Sequence, residues 1–155
     1  MNEKWQERTR LLAGEKTLER YANAHVLVVG LGGVGAYAAE QLCRAGIGEM
    51  TIVDADNVDI TNINRQLLAT TESIGTSKVS VMAQRLRSIN PDIRLHEVHE
   101  FLRDEGTIRL LESTKFDYVV DAIDTLSPKV FLIYFTMKMN IPLVSAMGAG
   151  GKWDP

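Results

Sequence analysis

Gly30-Leu31-Gly32-Gly33-Val34-Gly35 follows directly on His25-Val26-Leu27-Val28-Val29, and this junction decides the fold. A continuous apolar run of five residues reads as a strand buried on both faces of a parallel sheet. The glycines after it permit a tight turn and close backbone approach, and the helix they open offers free N–H groups and a partial positive charge. By itself such a glycine pattern serves dinucleotide-binding dehydrogenases as well as mononucleotide sites. The residues downstream narrow the choice: Asp54, then Asn62, Arg65 and Gln66, then Lys78, then Asp124. Cations and carboxylates in this order suit a triphosphate and its metal better than a nicotinamide dinucleotide.

The rest of the chain repeats the strand–helix alternation. A short helix over 15–21 precedes the first strand, and an alanine-rich helix over 34–45 follows it, stopped by Gly46 and Gly48. Residues 50–53 form the second strand and deliver Asp54 at its carboxyl end. Residues 57–75 are a long polar connection of the kind that carries function in compact domains. A helix over 78–89 shows an apolar stripe at Val79, Met82, Ala83, Leu86 and Ile89 and closes at Asn90-Pro91. Strands over 93–98, 118–120 and 143–145 alternate with helices over 105–113 and 127–140, the latter capped by Ser127 with Pro128 in first position. This order predicts an α/β fold: a Rossmann-like, doubly wound, mostly parallel sheet with helices on both faces. Ligands of such sheets bind outside the carboxyl ends of the strands, where Gly30–Gly35, Asp54 and Asp121/Asp124 all fall.

Composition agrees with a single domain. The chain has 155 residues, 45% hydrophobic and 24% charged, with a net charge of −3. No basic tail or cationic block supports nucleic-acid binding. The lone Cys43 excludes an internal disulfide and a multi-cysteine zinc site. The polar N-terminus shows no signal-peptide pattern, and the longest apolar stretch, 130–137, is too short to span a bilayer. A cytoplasmic, membrane-free setting is the expectation.

Each candidate has a stated chemistry. Asp54 lies where a carboxylate accepts hydrogen bonds from ribose hydroxyls. Arg65 has a planar fork matched to phosphate oxygens. Lys78 opens a helix, where a cation opposes the dipole, so phosphate binding is the better reason for it. Asp124 suits a magnesium ion bridging phosphates, or an ordinary turn; the residues alone leave both open. Asp121 reads as a structural partner, and Asp56 and Asp59 as surface or capping acids. His25, His96 and His99 show no metal-ligand spacing and read as structural or solvated. Cys43 reads as a small packed residue. Residues 130–139 are apolar nearly all round their helix, which implies burial in the core and against a second subunit.

Taken as a set, GLGGVG (30–35), VDAD with Asp54, TNINRQ (61–66), GTSK ending at Lys78 and DAID ending at Asp124 resemble the ubiquitin-activating-enzyme-like (ThiF/MoeB/HesA) adenylyltransferases. Within that superfamily RTRLLAGEKTLERY (8–21), INPDIRLHEVHEFL (89–102), DAIDTLSPKVFLI (121–133) and IPLVSAMGAGGKWDP (141–155) are most similar to the tRNA threonylcarbamoyladenosine dehydratases. The resemblance implies ATP and Mg2+ as cofactors, with Gly30, Gly32, Gly33, Gly35, Asp54, Asn62, Arg65, Gln66 and Lys78 around the nucleotide and Asp124 on the metal. It implies adenylation of a carboxylate, that of N6-threonylcarbamoyladenosine at position 37 of tRNA, then ring closure with loss of AMP. It implies a homodimer in which residues 1–22 form an arm and Arg10, or else Arg8, reaches the partner's nucleotide, with residues 23–155 as the adenylation domain. Family members are longer, so it also implies a sheet truncated at the C-terminus.

Three rival readings stay open. One is adenylation of the C-terminal glycine of a ubiquitin-like sulfur carrier, with a sulfur-transfer partner. The second is an NAD-dependent oxidoreductase, which has no use for Arg65 plus Lys78. The third is a nucleotide-binding module without turnover.

Overall fold

A computed structural model describes residues 3–148; Ala149 to Pro155, the end of the GAGGKWDP stretch, lie outside the described residues. Two helices, α1 (Glu7–Ala13) and α2 (Glu15–Asn23), lead into β1 (His25–Val29). There follow α3 (Gly35–Ala45), β2 (Glu49–Val53), α4 (Lys78–Ile89), β3 (Arg94–Val98), α5 (Asp104–Ser113), β4 (Tyr118–Asp121), α6 (Leu126–Lys138) and β5 (Leu143–Ser145). The strands form one sheet in the order β3-β2-β1-β4-β5, and every pairing is parallel. The strand order reverses between β1 and β4, which opens a crevice at their carboxyl ends.

The pleat of β1 divides the core. Val26 and Val28 pack with Met50, Ile52 and the inner faces of α3 and α4. Leu27 and Val29 face the other way, onto Leu111, Phe116, Val119 and Leu132 beneath α5 and α6. All five residues of β1 are buried, as a central parallel strand requires. Glu40 of α3 staples this first layer together: its carboxylate takes Arg44 one turn on and Arg85 of α4. Cys43 is fully buried in the same layer, and its thiol donates to the Leu86 carbonyl.

Several element boundaries differ from the sequence reading. The N-terminal helix runs two residues further, to Asn23, and is preceded by α1. Helix α6 starts at Leu126 behind Thr125, not behind Ser127. Pro128 therefore occupies the third helical position, where its missing N–H removes no intrahelical bond. Within one chain α6 is buried on one side: Leu132 and Thr136 are buried, whereas Leu126, Val130, Tyr134 and Met137 stand 74%, 55%, 58% and 66% exposed. That spacing forms one apolar stripe on the outer face. Gly46 ends α3 as anticipated, with the N–H of Ile47 returning to the Leu42 carbonyl, but Gly48 instead packs against the Ala22 carbonyl. No helix among the described residues is long and apolar enough to cross a membrane.

Candidate functional site

The carboxyl ends of β1, β2, β3 and β4 surround one cavity of about 570 Å³, within the range of small-molecule sites. Its floor is the glycine turn. Gly30 has φ +91°, and a Cβ there would lie 2.6 Å from the Ala122 carbonyl oxygen, so the β1 turn is pressed against the end of β4. A Cβ on Gly35 would run into the Gly30 carbonyl, which lets α3 start directly beneath the turn. At Gly32 and Gly33 the nearest atoms to a Cβ are 3.8 Å and 3.6 Å away, so glycine there keeps space open toward the cavity. No acidic residue occupies the first turn of α3, and its amide end keeps its positive character.

Asp54 ties the floor to the side wall. One carboxylate oxygen accepts the Leu31 amide at 2.6 Å and the other the Asp56 amide at 2.8 Å. The long connection after β2 is a closed excursion. Its neck is the Asn57–Ser77 bridge, reinforced by the Val58 amide on the Thr76 carbonyl and the Gly75 amide on that of Val58. Its start is fixed by a capping box, in which Asp59 accepts from Thr61 while Asn62 accepts from the Asp59 amide at 3.1 Å. The Thr61 bonds hold the exposed Asp59 carboxyl below its usual range. The excursion presents Arg65 and Gln66 to the cavity. Arg65 is exposed, and one guanidinium nitrogen donates to the Thr61 carbonyl and the Asn64 side chain at 3.1 Å and 3.0 Å. Lys78, buried at the head of α4, pairs with Asp56 at 2.9 Å.

On the far wall Asp124 is exposed, and its carboxylate accepts a long hydrogen bond, 3.4 Å, from the Thr125 hydroxyl. Behind it Asp121 is fully buried and paired with Lys129 at 2.6 Å. Lys129 also donates to the Ala146 carbonyl at 2.9 Å, and Asp121 accepts the Ile123 amide at 3.0 Å. This cluster fixes the two segments, 122–125 and 146–148, that close the cavity on that side. Val53, Phe101, Leu102 and Ile123 supply an apolar wall.

Gly30, Gly32, Gly33, Asp54, Arg65, Gln66, Lys78 and Asp124 thus all line this cavity. Three anticipated positions do not. Asn62 is buried and its oxygen is committed to the capping box. Gly35 acts through packing. Arg10 sits on α1 and pairs with Glu15 at 2.8 Å. Two contributors escaped the sequence reading. Phe101 follows β3 as Asp54 follows β2, so strand-end position was the available signal. Lys129 lies in the largely apolar helix α6, eight residues after Asp121, and a cation inside such a stretch was the clue to a buried partner. The sheet also gathers His25, Glu49 and His96 at its opposite end, although their sequence spacing suggested no cluster.

Residues 6–153 match the model of the ThiF family. The chain is 44% identical over 158 residues to the tRNA threonylcarbamoyladenosine dehydratase of Escherichia coli (strain K12), covering 100% of this chain and 59% of that protein. It is 43% identical over 148 residues to the Bacillus subtilis (strain 168) protein of the same name, covering 96% and 58%. It is 35% identical over 136 residues to the sulfur carrier protein ThiS adenylyltransferase of E. coli (strain K12), covering 86% and 53%. The crystal structure of the E. coli dehydratase in complex with ATP superposes with a TM-score of 0.93 at 44% identity, over 99% of this chain and 63% of that one. The chain spans about three fifths of the length of the dehydratases it matches.

Proposed function

The chain belongs to the ThiF family, and on that premise we propose that its cavity binds ATP and adenylates a carboxylate, that of N6-threonylcarbamoyladenosine-37 in tRNA. One observation carries this reading: Arg65 and Lys78, thirty and forty-three residues beyond Gly35 in the chain, line the same cavity as Gly30, Gly32 and Gly33. A base fits the apolar wall at Val53 and Phe101, the ribose lies at Asp54, and the phosphates lie over the glycines toward Arg65, Gln66 and Lys78. The relative solved with ATP and the identity to two dehydratases support both the nucleotide and the acceptor.

The chemistry asks for charge neutralisation rather than a base, because the acceptor carboxylate is already ionised at neutral pH. Its oxygen attacks the α-phosphorus, the bond to the bridging oxygen breaks, and pyrophosphate leaves with the electron pair. Arg65, Lys78 and the amide end of α3 stabilise the charge that develops there. Asp124 offers a hard oxygen donor on the cavity wall and would hold Mg2+, which supplies further neutralisation of the phosphates. The acyl adenylate then closes to a ring on the substrate and AMP departs with the former carboxylate oxygen, a net loss of water.

The exposed stripe Leu126, Val130, Tyr134 and Met137 supports a homodimer. So does α1, which buries no residue of its own and leaves Leu11 and Leu12 exposed. In that dimer residues 1–22 act as an arm and Arg10 reaches the partner's nucleotide. With tRNA as acceptor the place of action is the cytoplasm. ATP–pyrophosphate exchange tests the reading: exchange stimulated by tRNA carrying the modified nucleoside supports it. Exchange stimulated only by a ubiquitin-like sulfur carrier transfers the site to that acceptor, and ATP binding without exchange reduces it to a binding module.

A further inference from the structure

At the amino ends of the strands, on the sheet face that carries α5 and α6, three potential ligands converge. The parallel register sets His25 of β1 beside Glu49 of β2, and His96 of β3 beside Thr51. Glu49, Thr51 and His96 project to the same side as His25, because residues two apart on a strand share a face. The His25 Nδ1 lies 3.6 Å from Glu49 Oε1, and the His96 Nε2 lies 2.8 Å from that same oxygen. The three donor atoms fall within 4.8 Å of one another.

We propose that His25, Glu49 and His96 form a binding site for a divalent transition-metal ion of the zinc class, at the end of the sheet opposite the nucleotide cavity. Zinc–nitrogen and zinc–oxygen bonds of about 2.0–2.2 Å in tetrahedral geometry place neighbouring donors about 3.3 Å apart, and these two separations straddle that figure. The donor set, two imidazoles and one carboxylate with a fourth position open, is one that zinc takes. His25 is oriented from behind: its Nε2 bonds to the Thr51 hydroxyl at 2.8 Å, leaving Nδ1 turned to Glu49. Such an outer partner fixes the ring and tautomer of a metal-ligating histidine. Arg94 is the competing cation, but both its bonds go to Glu49 Oε2, at 3.0 Å and 3.1 Å, and leave Oε1 to the histidines. Asp117, whose carboxylate accepts the His25 amide at 2.9 Å, adds a negative charge on the other side. His96 is exposed on the edge strand, so the site is open to solvent and its ring is free to adjust. An ion here would tie the starts of β1, β2 and β3 together.

The test is a calorimetric titration of the tag-free, metal-stripped chain with Zn2+ in the absence of nucleotide, alongside imidazole NMR. The proposal expects one ion per chain with micromolar affinity, movement of the His25 and His96 ring signals, and none at His99. His96→Ala and Glu49→Gln, both read against a circular dichroism check of folding, should each weaken binding tenfold or more. Absence of one-to-one binding at micromolar Zn2+ would overturn it, as would equal movement of His99 or unchanged affinity in the His96→Ala chain. No step of this test depends on ATP, so its outcome is separate from that of the adenylation reading.

Discussion

The Lys78 ammonium lies 2.9 Å from the Asp56 carboxylate across a sharp difference in exposure, the lysine side chain 6% exposed and the aspartate 69%. The cation is therefore held from inside the fold while its counter-ion stays solvated. A phosphate entering the cavity can take donors of Lys78 without a buried carboxylate being stranded. Replacing Lys78 by alanine should lower the ATP–pyrophosphate exchange rate by about 10²–10³-fold, the usual loss for one preorganised charge-stabilising donor. Exchange assays on the variant, with circular dichroism to confirm folding, decide it; an unchanged rate would remove Lys78 from the reaction.

Lys129 and Asp121 present the opposite case, since both side chains are buried. Lys129→Met leaves the Asp121 carboxylate without its counter-ion and should cost about 3–5 kcal/mol in urea unfolding. It also frees the Ala146 carbonyl, so nucleotide affinity should fall together with stability. A variant that unfolds at the wild-type midpoint would contradict this.

Gly30→Ala combines a positive φ with a collision against the Ala122 carbonyl. Strain of this kind costs about 1–3 kcal/mol, and thermal unfolding should register it as a lowered midpoint.

The bond from Arg85, with a further one from Arg44, holds the Glu40 carboxyl below its usual range against the opposing effect of burial. A carboxyl whose pKa is lower folded than unfolded stabilises the fold above its unfolded value and ceases to as pH falls through the folded one. Stability should therefore drop below the ordinary glutamate pKa of about 4.3. Glu40→Gln should lose about 1–3 kcal/mol at pH 7 and show a flatter acid limb, measured by urea unfolding from pH 7 to pH 3.

Burial pushes the Cys43 thiol up to about 11. At pH 8 a thiol-specific reagent should leave the native protein unmodified and label Cys43 on addition of denaturant. Labelling of the native chain at the denatured rate would contradict the packing described.

The apolar run 25–29, the glycine turn and the strand–helix alternation made the doubly wound sheet readable from residues alone, because each is a local signal. Asp54, Arg65, Lys78 and Asp124 were readable as a group, because strand ends in such a sheet converge on one edge. The capping bond of Asn62 was not, since whether a loop asparagine closes its own turn depends on loop geometry. The apolar helix over 130–139 was expected to face both the core and a second subunit. Which of its residues turn outward was not readable, because an all-round apolar sequence does not say which face meets its own core. The His25–Glu49–His96 cluster depends on the relative register of three strands, which no single segment encodes.

The grip of the cavity on a triphosphate is most directly tested by a crystal structure with a non-hydrolysable ATP analogue. The triphosphate should lie over Gly30, Gly32 and Gly33 with oxygens within hydrogen-bond reach of both the Arg65 guanidinium and the Lys78 ammonium. A nucleotide bound with its phosphates away from both cations, or a dinucleotide taken in its place, would contradict the account.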